Sequence, residues 1–484
     1  MRIHVLGVGS IGTLLAFHLR QHLQPAAAHP ISLLLRARGI PRTDRESRRR
    51  DRAGAGKRGS EAGSSQVVED AVGGPALSVE RAGVVRTVAG FEAEVVGPGI
   101  DRAWAAVHRA RAFTGPDAQK RANAAAAQLE SPFTPATPID SLIVALKTHQ
   151  TLPALRQLAP RIRPESCITL LQNGMGIYDE LCEDIWPDPA ARPQFVLGST
   201  THGAARIRTP TRLQARTGGK VEFARRVVHT GHGELVFGVV PHPRGQVDYD
   251  ARLFPDGGGG GGVAMNPLPS LSPAAPTSVS TPLEYTLAAL LALHPLNPSL
   301  IPMPEMYKRL LLKLSTNCAV NPLTALLGVQ NGALIGPHAT QSVMRAVLGE
   351  ASEAITRYLE SVRRDGEDDA ADDHHDHHQG ATPLDAETRA MFTPAALERR
   401  ALAVLAATAR NTSSMASDVA KLARGRGAAG AEGGTEIDYI NGFLVRLGER
   451  MGVPMPVNRM LADMVAAKEE IARISPGLLL PVRK

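Results

Sequence analysis

Residues 1–12 read Met1-Arg-Ile-His-Val-Leu-Gly7-Val-Gly9-Ser-Ile-Gly12. A short apolar run, residues 3–6, passes directly into G-x-G-x-x-G. Helical spacing follows over residues 13–22, with Leu14, Leu15, Phe17 and Leu19 available to pack. In a strand–turn–helix unit each glycine has a separate task. Gly7 permits the tight turn, Gly9 lets a pyrophosphate approach the backbone, and Gly12 lets helix pack on strand. The helix start adds free N–H groups and a partial positive charge. Gly7, Val8, Gly9, Ser10, Ile11 and Gly12 are therefore candidate dinucleotide contacts. Between a strand and a helix the motif is far more specific than three glycines alone.

Residues 31–35 form a second apolar run, suited to a strand buried on both faces. It ends Leu33-Leu-Leu-Arg36-Ala-Arg38, without an acid that would hold ribose hydroxyls. Arg36 can form a bidentate pair with a 2′-phosphate. This predicts NADPH/NADP+ rather than NAD. Residues 77–79, 84–88 and 91–96 read as short strands with turns at Gly83 and Gly90. Residues 141–146 and 167–171 are further apolar strands, with a helical segment at 152–158 between them. Residues 234–238 suit a late strand. Strand and helix alternate, so the first half is α/β with a mainly parallel sheet. From Leu283 onward the spacing is mostly helical, at residues 307–316, 342–359, 395–422 and 436–451. The expected architecture is an α/β Rossmann-like N-terminal domain plus an all-α C-terminal domain.

The chain has 484 residues, with 46 Gly and 36 Pro. That excess over ordinary usage marks low-complexity insertions. Five stretches fit, at residues 37–75, 99–136, 248–282, 363–388 and 424–434. Removing them leaves roughly 335 residues, enough for two domains. The expected boundaries are 1–245 for the nucleotide domain, 246–282 for a Gly/Pro-rich linker and 283–484 for the helical domain. The net charge is +7. Much of it sits in residues 42–58, where no aromatic residue offers a base-stacking platform. Nucleic-acid binding is therefore not expected. His374, His375, His377 and His378 lie in an acidic tract with no second shell to orient them, so no metal site is expected. Cys167, Cys182 and Cys318 are too few and too scattered for a disulfide scaffold. No run of eighteen apolar residues suggests a membrane span, and no secretory signal is visible. The default location is cytoplasmic, with a mitochondrial one left open.

Three polar segments stand among apolar ones. The first is Gln172-Asn173-Gly174-Met-Gly176, just after a buried strand, where ligands of open α/β sheets bind. The second runs from Lys313 through Asn317 and Asn321 to Pro322 and Thr324. Lys313, Asn317 and Asn321 are four residues apart and share one helical face. The third is Asn411-Thr-Ser413-Ser414-Met, followed after the Gly/Ala run by Thr435-Glu436-Ile-Asp438-Tyr439-Ile-Asn441-Gly442.

With Val144-Ala-Leu-Lys147, Gly198-Ser-Thr-Thr-His-Gly-Ala204 and Gln330-Asn331-Gly332, these segments carry a resemblance in matching order. The chain resembles the ketopantoate reductases (2-dehydropantoate 2-reductases) over nearly its whole length outside the five insertions. The resemblance implies NADPH-dependent reduction of 2-dehydropantoate to pantoate, towards pantothenate and coenzyme A. It implies Lys313 as general acid, and Asn317, Asn321 and Asn331 as substrate-binding residues. Ser414, with Asn411 to Ser413 before it, matches the serine segment that holds the substrate. Asn173 matches a residue touching both ligands. Arg36, Lys147 and Ala204 match cofactor contacts, and Glu436 matches a carboxylate at the cofactor–substrate junction. A cleft between two domains is the implied site, with the small-molecule substrate as the implied partner.

The chemistry suits those assignments. A positioned ammonium stabilises the charge that develops on a ketone oxygen and then supplies the proton. Desolvation would lower the pKa of such a lysine towards neutrality. Glu436 either accepts from the substrate hydroxyl or holds Lys313; the residues do not choose. Reduction of another 2-oxo acid and a catalytically silent NADP-binding protein are the alternative readings. A homodimer is left open.

Overall fold

The structure is a computed structural model. It describes residues 1–36, 76–96, 138–207, 224–242, 245, 247–254, 281–368, 384–423 and 434–474. The expected insertions at 37–75 and 99–136, most of that at 248–282, and the four clustered histidines lie outside the described residues.

Along the chain the described elements run β1 (Ile3–Leu6), α1 (Ser10–His22), β2 (Ile31–Arg36), β3 (Ala76–Arg81), β4 (Val84–Val88), β5 (Glu92–Val96), β6 (Ile139–Val144), α2 (Thr151–Leu158), β7 (Ile162–Leu170), α3 (Ile177–Asp184), β8 (Gln194–Thr200), β9 (Gly203–Ile207), β10 (Ala224–Gly231), β11 (Leu235–Val239), α4 (Tyr249–Leu253), α5 (Pro282–Leu291) and β12 (Pro298–Leu300). Helices follow: α6 (Met303–Leu327), α7 (His338–Asp368), α8 (Ala386–Met391), α9 (Pro394–Ala407), α10 (Ser414–Ala423), α11 (Ile437–Met451) and α12 (Pro456–Ile474).

The chain divides into two compact units. The first is Met1–Leu146, Pro153–Leu171 and Pro189–Leu300; the second is Lys147–Leu152, Gln172–Asp188 and Ile301–Lys484. This partition is not the linear one expected from composition. The segments that follow β6 and β7 belong to the second unit. Helix α5 and strand β12, expected within the helical domain, belong to the first, where α5 packs on β6 and β7.

The first unit holds an eight-stranded sheet in the order β12-β11-β8-β7-β6-β1-β2-β5. Every described pairing in it is parallel except β8 with β11. The central strands are apolar without alternation because helices and strands cover both faces: Ile3, Val5, Ile31, Leu33, Leu142 and Ile168 are all fully buried. A second sheet, β4-β3-β10-β9, was not expected. Its strands β3 and β4 form a hairpin, while β5, next in sequence, joins the large sheet beside β2. All four strands of the small sheet pack on α1. The cover explains why Phe17, Leu19 and even Arg20 of α1 are almost fully buried.

The second unit is helical among its described residues. Helix α6 runs through its centre, touching α7, α9, α10, α11 and α12. By length and composition this helix could cross a membrane, but 78% of its apolar window is buried, so its hydrophobic surface is spent on the unit's own core. The helical stretch expected over residues 395–422 is two helices. Helix α9 stops at Ala407, and the break at 408–413 carries Asn411 and Ser413. Helix α7 continues to Asp368 and Asp385 caps α8 by accepting from the Thr388 N–H; the rest of the insertion expected at 363–388 between them lies outside the described residues.

Candidate active site

In the first unit the glycine loop joins β1 to α1 as the spacing predicts. Gly7 has φ +95, and a Cβ there would lie 2.6 Å from the Ala145 backbone. A Cβ on Gly12 would lie 2.2 Å from the Gly7 carbonyl oxygen. Both glycines are therefore required by the fold itself. Gly9 is different. A Cβ there would meet only the Gly7 oxygen, at 3.9 Å. Among the described residues no neighbour explains its missing side chain. Open space above the first turn of α1 fits a phosphate close to the backbone. Among the described residues no side chain caps this helix and no acid occupies its first turn, a setting suited to an anion at its N–H groups. The residues present fit a dinucleotide pyrophosphate.

Strand β2 runs parallel to β1 with Leu34 opposite Leu6. Arg36, the last residue of β2, thus leaves the same end of the sheet as the glycine loop; its side chain lies outside the described residues. Ala204 lies in β9 of the small sheet, half-buried and packed on the same apolar core as Ile11 of the loop helix.

The remaining expected site residues lie in the second unit. Glu436 is the residue before α11 and is 4% exposed. Its Oε2 accepts from Lys147 Nζ at 3.1 Å and from Asn173 Nδ2 at 3.2 Å. Its Oε1 accepts from the Thr148 backbone N–H at 3.2 Å and lies 3.1 Å from the Thr148 hydroxyl. That hydroxyl is also 2.6 Å from the Asn173 carbonyl oxygen, to which it can donate. A buried carboxylate is tolerable only when its lone pairs are filled in this way. Lys147 makes a second ion pair, 2.8 Å to Asp418 Oδ2 on α10. Burial alone would lower the Lys147 pKa, but the carboxylates of Glu436 and Asp418 outweigh it and hold the ammonium above the ordinary lysine value.

Two glycines set this cluster against α11. Gly174, at φ +82, lies so close to Tyr439 that a Cβ would come within 2.4 Å of its carbonyl oxygen. That oxygen accepts from the Met175 N–H at 2.9 Å. Gly176 caps the start of α3 in the left-handed region.

Lys313 and Asn317 are half-buried on α6, and Asn321 is buried one turn on. Burial pulls the Lys313 pKa down to about 8; the charge of Glu436 opposes this and that of Arg309 adds to it. Lys313 therefore lies within the field of the same carboxylate that holds Lys147. Pro322 removes one helical N–H and would strand the Cys318 carbonyl. Asn441 fills that gap, its Nδ2 donating to the Cys318 oxygen at 3.0 Å.

Asn331 and Asn411 are brought together, the Asn331 N–H donating to the Asn411 carbonyl at 3.0 Å. Asn331 Nδ2 donates to the Thr408 hydroxyl at 2.9 Å, and its buried Oδ1 has no partner among the described residues. The side chains of Asn411 and Ser414 are exposed. Ser413 is not. It is buried, accepts from the Ala416 N–H at 3.1 Å as the cap of α10, and bonds the Thr324 hydroxyl at 2.7 Å. Its oxygen accepts both bonds from within the unit, which ties this expected substrate contact to α6 and α10. Thr148 and Asp418 were not foreseen. Thr148 follows Lys147 directly, and Asp418 is a lone acid on the buried face of α10 beside Met415, Val419 and Leu422; that buried acid was the available signal.

A parallel-sheet unit with a glycine loop, and a helical unit with a lysine–carboxylate cluster, define a nicotinamide-dependent oxidoreductase. The family model for "Ketopantoate reductase PanE/ApbA" matches residues 102–242, and that for its C-terminal part matches residues 305–469. The chain is 25% identical to the 2-dehydropantoate 2-reductase of Vibrio cholerae over 334 residues, covering 68% of this chain and 78% of that one. It is 28% identical to the enzyme of the same name from Escherichia coli O157:H7, covering 71% and 78%. The fold is similar to that of 2-dehydropantoate 2-reductase from Methylococcus capsulatus, with a TM-score of 0.50, 15% identity and 98% of each chain covered. The chain belongs to the ketopantoate reductase family.

Proposed function

We propose that this chain reduces 2-dehydropantoate to (R)-pantoate with NADPH. The observation that carries the reading is the Glu436 cluster. One buried carboxylate holds Lys147, Thr148 and Asn173 while its charge acts on Lys313, whose pKa is close to neutral. Bound NADPH supplies a hydride to the C2 ketone. Lys313 Nζ stabilises the negative charge that develops on the ketone oxygen and transfers its proton there, completing the alcohol. A pKa of about 8 leaves Lys313 mostly protonated at pH 7, yet a better proton donor than an ordinary lysine. Asn317 and Asn321, on the same face of α6, orient the substrate's polar groups as neutral donors and acceptors. Ser414 and Asn411, both exposed, are available to the substrate; Asn331 offers its unpartnered Oδ1. Glu436 acts as the acceptor that fixes Lys147 and Asn173 and moderates the pKa of Lys313. Gly7 to Gly12 and Arg36 hold the nucleotide's phosphates, with Lys147, Asn173 and Ala204 as further cofactor contacts. We place the protein in the cytoplasm, a reading supported by three buried cysteines that are all free thiols.

The test is NADPH oxidation, followed by nicotinamide absorbance, on adding 2-dehydropantoate and a panel of other 2-oxo acids. Preference for 2-dehydropantoate with NADPH is the expected result. Equal turnover across the panel would overturn the substrate assignment. Inactivity of wild type and Lys313→Ala alike, with NADPH binding intact in both, would overturn the catalytic one.

A further inference from the structure

The first unit contains a second cluster of titratable groups, made wholly of histidines. His202 in the β8–β9 turn, His229 on β10 and His232 in the β10–β11 turn have ring centroids 5.0, 5.4 and 5.7 Å apart. His202 and His229 are buried and His232 is exposed. His18 of α1 is buried beside them, its Nδ1 without a partner among the described residues.

The hydrogen bonds fix the protonation state of His202. Its Nε2 is 2.8 Å from the Leu296 carbonyl oxygen, which can only accept, so Nε2 carries the hydrogen. Its Nδ1 is 2.9 Å from the Gly233 backbone nitrogen, which can only donate, so Nδ1 carries none. The same Nδ1 faces His229 Nε2 at 3.1 Å, which makes that nitrogen a second donor. A proton added to His202 Nδ1 would therefore point at two N–H groups at once. The charged groups around the cluster compound this. His18 and His22 on α1, His232 in its turn and Arg81 at the end of β3 all disfavour added positive charge on their neighbours in the cluster. Accordingly burial first, and then the neighbouring histidines and Arg81, hold His18, His202 and His229 below the ordinary histidine value, His18 at about 4.

The position of the cluster gives it a mechanical meaning. It joins the small sheet, through β9 and β10, to the loop before β12 and to α1, the helix whose first turn forms the glycine loop. We propose that the four histidines are a proton-operated latch: neutral, they fasten the small sheet over α1; protonated, they release it.

The direction follows from linkage. The unfolded chain takes up protons on His18, His202 and His229 near pH 6.5, whereas the folded rings of these three resist them. The unfolded or opened state binds more protons, so stability is lost as pH falls below about 6.5. At pH 7 and above the latch is closed.

Hydrogen exchange of the full-length protein between pH 7.5 and 5.5, corrected for intrinsic rates, tests this. The Gly233 amide and its neighbours at 200–204 and 229–235 should lose about tenfold protection or more, while amides of β6 and β7 keep theirs. Uniform loss through the unit, or none, would overturn the latch. His202→Gln keeps one donor and one acceptor but cannot be protonated, and should flatten the acid response. An unchanged response would also overturn the proposal. Should that variant fail to fold, nitrogen NMR of wild type decides. His202 should carry its proton on Nε2 alone at pH 7.5 and become cationic only below the ordinary histidine value; a ring that is cationic at or above that value would refute the assignment.

Discussion

Lys147 and Glu436 are 289 positions apart in sequence and form an ion pair of 3.1 Å in the second unit. The carboxylate is almost fully buried, and four donors surround it. Glu436→Gln keeps the shape but removes the charge, and its amide nitrogen would face Lys147 or Thr148 as a donor against a donor. The expected result is a fall in turnover on the order of 10²-fold. The Lys313 pKa should also drop further, because Glu436 is the group that raises it. The alkaline limb of the pH–rate profile would then move to lower pH. Turnover within twofold of wild type would remove Glu436 from the site.

Lys313 sets a pH dependence whose sign is fixed. A proton donor must be protonated, so kcat/KM should be flat below about pH 8 and fall about tenfold per unit above it. Lys313→Ala should abolish this limb and lower turnover by about 10²-fold or more, with NADPH binding retained. Stability should change in the opposite sense. A folded pKa below the unfolded value means the unfolded state binds more protons, so stability rises with pH between about 8 and 10.5. Lys313→Met should remove that rise, as read from denaturation midpoints at several pH values.

Gly9 and Gly12 should separate binding from folding. A Cβ at Gly9 has room, so Gly9→Ala should leave stability within about 0.5 kcal/mol while weakening NADPH binding tenfold or more. Gly12→Ala would drive a methyl group into the Gly7 carbonyl and should fail to fold or melt much earlier. Equal behaviour of the two, by calorimetry and nucleotide titration, would contradict the assignment of open space to the pyrophosphate.

The sequence was most informative where function and local period coincide. The glycine loop is written in six consecutive residues, and Lys313, Asn317 and Asn321 announce a shared helical face by their spacing. The pairing of β3 with β4 away from β5 was hidden, because a short strand's partner depends on what covers it; here it is α1 that requires a lid. Asp418 was hidden for a related reason. A single acid on an apolar face has no local signature, and its partner Lys147 lies in a loop more than two hundred residues earlier. Pro322, inside an otherwise regular helix, looked like part of a binding motif, yet its immediate consequence is structural: the carbonyl it frees is claimed by Asn441. Periodicity reports which face is buried, not which distant group it meets.

Ser413 and Ser414 adjoin in sequence but differ in burial. Ser413 is buried, caps α10 through the Ala416 N–H and bonds Thr324 on α6, so Ser413→Ala should cost about 1 kcal/mol or somewhat more. The loss should appear as a lower melting temperature, with KM little changed. Ser414 is exposed at the start of the same helix. Ser414→Ala should leave the melting temperature unaltered and raise KM for 2-dehydropantoate about tenfold, the scale of one lost hydrogen bond to a charged group. If instead Ser413→Ala raised KM and Ser414→Ala lowered stability, the division of labour between cap and substrate contact would be reversed.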